Sequence, residues 1–193
     1  MQIGKELIEY RAFICYAHDD IIQAAALESA ILKFENEELQ TPVRIFKDDS
    51  VIKLGEDLPS SIKMGLENSE YLILLASKKA AESPWVSEEV RIWCAKSQRR
   101  NKILILLLEG NIETDLNKIN WDKTDALPSI LKGNLDFLPN YEKLRWAQKD
   151  IDRILENKKY REIIIKICAS FRGISPLEMH EEWRQKKEKK CTD

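Results

Sequence analysis

Tyr71-Leu72-Ile73-Leu74-Leu75-Ala76 (YLILLA) is an uninterrupted apolar run without the apolar–polar alternation of a half-solvated strand. Both of its faces must be covered. Lys102–Leu108 (KILILLL) repeats the pattern further along. Two strands apolar on both faces predict a parallel sheet sandwiched between helix layers. Upstream, Arg11–Tyr16 (RAFICY) predicts a buried first strand that ends in a polar loop at His18-Asp19-Asp20. Val43–Phe46, after the Thr41-Pro42 break, predicts the second. Tyr71–Ala76 and Lys102–Leu108 are then the third and fourth, and Asn134–Leu138 is expected to be a short fifth strand at an edge.

Helical spacing fills the intervals. Ile21, Ile22, Ala25, Ala26, Ser29, Ala30 and Phe34 form a stripe that carries a helix to about Asn36. Leu58, Ile62 and Leu66 mark a second helix, with Pro59 in its first turn. Ser77–Pro84 is expected to be a loop or short helical piece. Trp85–Ser97 carries Val86, Val90 and Trp93 along one face, and Gln148–Phe171 is a long helix that Gly173 ends. The expectation is an α/β flavodoxin-like three-layer sandwich: about five parallel strands, helices on both faces, right-handed crossovers and a C-terminal helical extension. Ligands in such sheets bind beyond the carboxyl ends of the strands. The loops Tyr16–Asp20, Lys47–Gly55, Ser77–Trp85 and Glu109-Gly110 should therefore build any site.

Composition narrows the function. The chain has 193 residues, 44% of them hydrophobic and 33% charged, enough apolar surface for a core and too much for a disordered chain. A net charge of −2 argues against direct nucleic-acid binding. Cys15, Cys94, Cys168 and Cys191 have no paired spacing, so no zinc site and no metal are expected; Cys15 and Cys168 lie in apolar runs as small core residues. That usage suits a reducing cytoplasm. The N-terminus lacks a signal-peptide pattern, and Ile103–Leu108 is too short to cross a bilayer. The first loop, Ala17-His18-Asp19-Asp20, contains no glycine, which excludes a dinucleotide-binding fingerprint and a P-loop. Ala76-Ser77 ends the third strand where a response-regulator receiver needs an aspartate.

Four motifs, in order, resemble a Toll/interleukin-1 receptor (TIR) domain of the bacterial kind over about Tyr10 to Phe171. Phe13-Ile14-Cys15-Tyr16-Ala17-His18-Asp19 resembles the first box, usually F-I-S-Y-x-x-x-D. Phe46-Lys47-Asp48 with Leu54-Gly55 resembles the second box and its BB loop. Leu74-Leu75-Ala76-Ser77 resembles the strand motif that ends in serine, and Ser83-Pro84-Trp85-Val86-Ser87-Glu88-Glu89-Val90 resembles S-x-W-V-x-x-E-V. The departures are Cys15, where serine is usual, and Ala17, where many NAD-cleaving members carry a polar or basic residue. The resemblance implies one of two functions. Some family members are non-catalytic scaffolds that join partners through TIR–TIR contacts. Others, including bacterial immune effectors, cleave NAD⁺ at the nicotinamide–ribose bond and carry a W-x-x-x-E segment, matched here by Trp85 and Glu89. A nucleoside-transferring enzyme with a related sheet is a third, weaker reading.

Glu89 is the expected catalytic residue. On a helix it lies roughly 60° from the centre of the apolar stripe, half-buried at the border of the core. A glutamate on a helix flank is ordinarily solvated, but this one is four residues after Trp85 and on its face. Nicotinamide leaves NAD⁺ as a neutral molecule, so the chemistry asks chiefly for a carboxylate to stabilise the ribosyl oxocarbenium ion. Trp85 would supply an aromatic wall. The family's NAD-contact positions, carried across, fall on Ala17, His18 and Lys53; Asp48 and Ser77 close the same crevice. Glu88 points elsewhere, His180 lies in a charged tail, and Cys94 is on the far side of the stripe.

NAD⁺ is thus implied as substrate, with no cofactor. The resemblance also implies homotypic TIR–TIR assembly through the BB loop, Lys47–Gly55, and a fused or upstream sensor. Residues 1–173 are expected to form the TIR domain and 174–193 a charged helical tail or linker, too polar to pack fully.

Overall fold

The computed structural model describes residues 8–47, 59–116, 118–135, 141–144 and 157–190. Its strands are β1 (Tyr10–Cys15), β2 (Ile45–Lys47), β3 (Ser69–Ala76), β4 (Ile103–Leu107), the two-residue β5 (Thr114–Asp115) and β6 (Lys118–Ile119), and β7 (Tyr141–Lys143). The helices are α1 (Ile21–Leu32), α2 (Ser60–Glu67), α3 (Lys78–Glu82), α4 (Pro84–Cys94), α5 (Lys158–Arg172) and α6 (Pro176–Lys190). Five strands form one wholly parallel sheet in the order β2-β1-β3-β4-β7. This is the flavodoxin-like order, and it reverses direction between β1 and β3. β5 and β6 form a separate antiparallel hairpin in the polar stretch after β4.

Alternation along the strands builds the two faces. Ala12, Ile14, Ile73, Leu75 and Leu106 pack with α1 and α5. Phe13, Cys15, Leu72, Leu74, Ile105 and Leu107 pack with α2 and α4. Register aligns Phe13 with Leu72, Ile14 with Ile73 and Cys15 with Leu74. Ile73 and Ile105 are 0% and 1% exposed, as the unbroken apolar runs required. α2 comes so close to β2 that a Cβ on Gly65 would lie 2.7 Å from the Phe46 ring, which itself stacks on Phe13.

Several expectations are corrected. The fifth strand is Tyr141–Lys143, paired to β4, and not Asn134–Leu138; Asn134 closes a turn on Leu131, and residues 136–138 lie outside the described residues. The buried stripe of α1 is Ala24, Leu27 and Ile31 with Ala26 and Ala30, while Ile22 is 61% exposed. In so alanine-rich a helix periodicity supports two stripes, and packing on α5 selects the one with the larger side chains. Past Leu32 the helix widens into a π-helical turn, Lys33–Glu38. α2 starts at Ser60, with Pro59 as its N-cap; Leu58 is outside the described residues. α4 stops at Cys94, and buried Arg99 follows, donating to the carbonyls of Leu66 and Glu67 at the end of α2.

α5 begins only at Lys158, because Asn157 is extended and its side chain caps the helix by accepting from the Lys159 and Tyr160 amides. Residues 148–156, expected to be helical, lie outside the described residues. Gly173, at φ 63°, provides the left-handed C-cap. Ser175 and Glu178 then form a capping box that starts α6. The sequence predicts a helix too polar to pack fully; its outer side is exposed, while its inner side docks. Met179 is fully buried, and Trp183 packs on Phe34 and donates to Glu38 at 3.0 Å. Arg172 binds Glu182 of α6 and the buried Glu35 of the π turn together. No helix among the described residues is long and apolar enough to cross a membrane.

Candidate active site

The strand order reverses between β1 and β3, so their carboxyl ends diverge and leave a crevice. β1 delivers Cys15 there, followed by Ala17 and a single 3-10 turn, His18–Asp20. β3 delivers Ser77. α4 crosses on the α2 side. Ser83 caps it, accepting from the Val86 amide at 3.3 Å, and Pro84 occupies its first turn, where a missing N–H costs nothing.

That start fixes the phase of α4. Val86, Val90 and Trp93 are buried at 0–1% exposure, and Glu89 is buried with them at 7%. The half-buried position expected for Glu89 is therefore corrected. Val86, Glu89 or Val90, and Trp93 follow the three-and-four spacing of the inner face, so the carboxylate shares it. Glu88 points outward as expected: Arg91 donates to it from two nitrogens, at 2.7 and 2.6 Å, and this pairing holds its carboxyl below the usual range.

Glu89 lies near Cys15 across the α4–β1 contact. Burial first, then the charge of Glu89, push the Cys15 thiol far up, so it stays protonated. Ala17, 6% exposed, belongs to the same cluster as Cys15, Val86 and Val90, and the partly exposed Trp85 packs against it. His18 is exposed on the adjoining turn. Ser77 is fully buried and its hydroxyl is engaged within the protein. It accepts from the Ala80 amide at 3.0 Å, capping α3, and donates to Asp20 at 2.6 Å. Asp48 and Lys53 lie outside the described residues, as does the BB loop beyond Lys47.

The structure thus places Ala17 and Cys15 in one cluster with the α4 residues Val86 and Val90 that flank Glu89, and Trp85 packs against that cluster. Sequence reasoning missed two residues here. Cys15 was read as core packing, and nothing in the chain's spacing shows its nearness to Glu89. Asp20 is placed by the sequence only in the polar loop after the first strand, yet the pattern F-I-S-Y-x-x-x-D counted from Phe13 reaches residue 20. Asp20 ties the end of β3 to the first loop. Burial raises its carboxyl, Ser77 lowers it, and the charges of Asp19 and Glu109 raise it again, for a net upward shift. Asp20 also borders an open cleft of about 470 Å³ at the end of β4, shared with Gln23, Lys78 and Asn111.

A flavodoxin-like sheet with a buried acid beside the β1–β3 divergence defines the class. A family model described as "TIR domain" matches residues 12–128, and the chain belongs to that family. Similar proteins include the NAD(+) hydrolase ApTIR of Actinoplanes sp., 28% identical over 172 residues, which are 87% of this chain and 24% of that protein. The NAD(+) hydrolase TcpA of a Theionarchaea archaeon is 26% identical over 141 residues, 73% of this chain and 41% of its own. A probable 2' cyclic ADP-D-ribose synthase, TcpO, of Methanobrevibacter olleyae is 26% identical over 112 residues, 58% of this chain and 31% of its own. The chain therefore spans well under half the length of these relatives.

Proposed function

We propose that this TIR domain cleaves NAD⁺ at the nicotinamide–ribose bond, with Glu89 as the catalytic carboxylate. The observation that carries the reading is the burial of Glu89 on the inner face of α4, beside the carboxyl end of β1 and four residues after Trp85. Cleavage breaks the C1′–N bond, and the bonding pair leaves with nicotinamide. The pyridinium charge is lost and an oxocarbenium charge appears on the ribose. A carboxylate in a low-dielectric setting acts on that charge more strongly than one in water. Water then adds to C1′ and releases a proton, giving ADP-ribose; capture by a hydroxyl of the same molecule gives a cyclic product instead. The names of the relatives, two NAD(+) hydrolases and a probable cyclic ADP-ribose synthase, support both outcomes.

Ala17 and Trp85 line the ribose side of this reading, with His18, Asp48, Lys53 and Ser77 as further substrate-side positions. The domain works in the cytoplasm as an immune or signalling effector, switched on by homotypic assembly under a fused or upstream sensor. Incubating concentrated protein with NAD⁺ and following nicotinamide release is the direct test. Release is expected from the wild type and lost in Glu89→Gln. Specific activity is expected to rise with protein concentration. A soluble, folded wild type that assembles and releases no nicotinamide would reduce the domain to a scaffold, and activity flat over a hundredfold dilution of a monomer would remove assembly from the scheme.

A further inference from the structure

The connector from α1 to β2 holds a conformation that its own residues disfavour. Gln40 sits at φ 52°, in the left-handed region that glycine and asparagine enter readily and glutamine does not. Such a backbone persists only where its surroundings hold it. Here both neighbours of Gln40 are held. The Lys186 ammonium of α6 donates to the Leu39 carbonyl. On the other side, the Arg172 guanidinium donates to Thr41 Oγ1 at 2.5 Å and binds the buried Glu35 of the π turn. α6 grips Arg172 in turn through Glu182, at 3.0 Å. Beyond Thr41 the path is short: Pro42, Val43 and Arg44 lead into β2, an edge strand paired with β1. The Val43 amide donates back to Asn36 at 3.0 Å, which ties the π turn to the start of β2. β2 ends at Lys47, on the same side of the parallel sheet as the candidate site.

The hold of α6 is of a kind that can be released. Met179 is its one fully buried apolar side chain; Trp183 is only partly buried, and Leu177 is 71% exposed. Its other contacts to the connector are polar, made by Glu182, Trp183 and Lys186, and water can replace them. We propose that α6 is a releasable strap: docked, it holds the α1–β2 connector in its strained form and fixes β2 against β1; undocked, it loosens β2 at the rim of the candidate site. A tether or partner that pulls on α6 would reach the site through β2 without touching it. The inference stands whether or not the domain cleaves NAD⁺.

Amide hydrogen exchange, read residue by residue by NMR on the full chain, tests this. The variant Trp183→Ala/Lys186→Met removes two anchors of α6. An undocked helix of 15 residues is marginal in water, so the amides of α6 themselves report its release. The Arg11 amide, which donates to the Arg44 carbonyl at 2.7 Å, reports the attachment of β2 to β1. Leu131→Ala, fully buried in the core on the opposite face of the sheet, controls for a general loss of stability. In the double variant, α6 and Arg11 are expected to lose protection together, Arg11 by at least about tenfold more than the β3 amides, as the loss of charge-assisted hydrogen bonds implies. In Leu131→Ala, Arg11 and β3 are expected to fall by the same factor. Four results would overturn the proposal: exchange at Arg11 that tracks β3 in the double variant, a loss selective for Arg11 that Leu131→Ala reproduces, an α6 that stays protected without both anchors, or a double variant that does not fold, since a strap leaves without unfolding the sheet.

Discussion

Arg172→Met should be among the most destabilising single changes in this chain. The Arg172 guanidinium lies between the π turn after α1 and α6, 2.5 Å from Glu35 Oε2 and 3.0 Å from Glu182 Oε1. The two contacts are unequal. The Glu35 side chain is 1% exposed, whereas that of Glu182 is 36% exposed and partly screened by water. Breaking a buried pair from one side strands the other charge and costs about 3–5 kcal/mol. Losing the Glu182 contact adds at most about 1 kcal/mol. Thr41 Oγ1 would still donate to Glu35 at 2.7 Å, which softens the penalty without neutralising the charge. For a chain of this size, 3–5 kcal/mol corresponds to a fall in Tm of roughly 6–20 °C. Urea denaturation at constant m measures the loss directly. Glu35→Gln in the same background should recover most of it, because the stranded charge is then gone. A loss below about 1 kcal/mol, or a double variant no more stable than the single one, would refute the reasoning.

Glu89→Gln preserves shape and removes charge, so nicotinamide release should fall by about 10²–10³-fold or more, while the denaturation midpoint stays equal to or above that of the wild type. Asp20→Asn tests the Ser77 contact. The raised native-state carboxyl means that ionised Asp20 burdens the fold at neutral pH, a burden that lifts as pH falls through that raised value toward about 3.9. The asparagine variant should therefore match or exceed wild-type stability at pH 7, with the difference closing in acid. Asp20→Ala leaves the buried Ser77 hydroxyl without its acceptor and should lose about 1 kcal/mol or more by thermal melting.

Most of the sheet and the inner face of α4 were legible in the sequence, because periodicity records which face of an element is apolar. Tyr71–Ala76 and Ile103–Leu107 have no polar face, so helices on both sides followed from local pattern alone. Val86, Val90 and Trp93 set the inner face of α4, and the W-x-x-x-E spacing pointed to Glu89. Periodicity does not record what covers a face. Tyr141–Lys143 is a strand only because β4 offers it an edge. Glu35 is buried because Arg172, 137 residues later, comes back to meet it. A charged tail packs because Met179 and Trp183 find the π turn beyond α1. By itself, then, the sequence determined the layered parallel architecture and the inner face of α4 on which the candidate acid lies, both encoded within single elements. The depth of Glu89, its nearness to Cys15 and the docking of α6 were decided by tertiary structure alone, since each depends on contacts between segments distant in the chain.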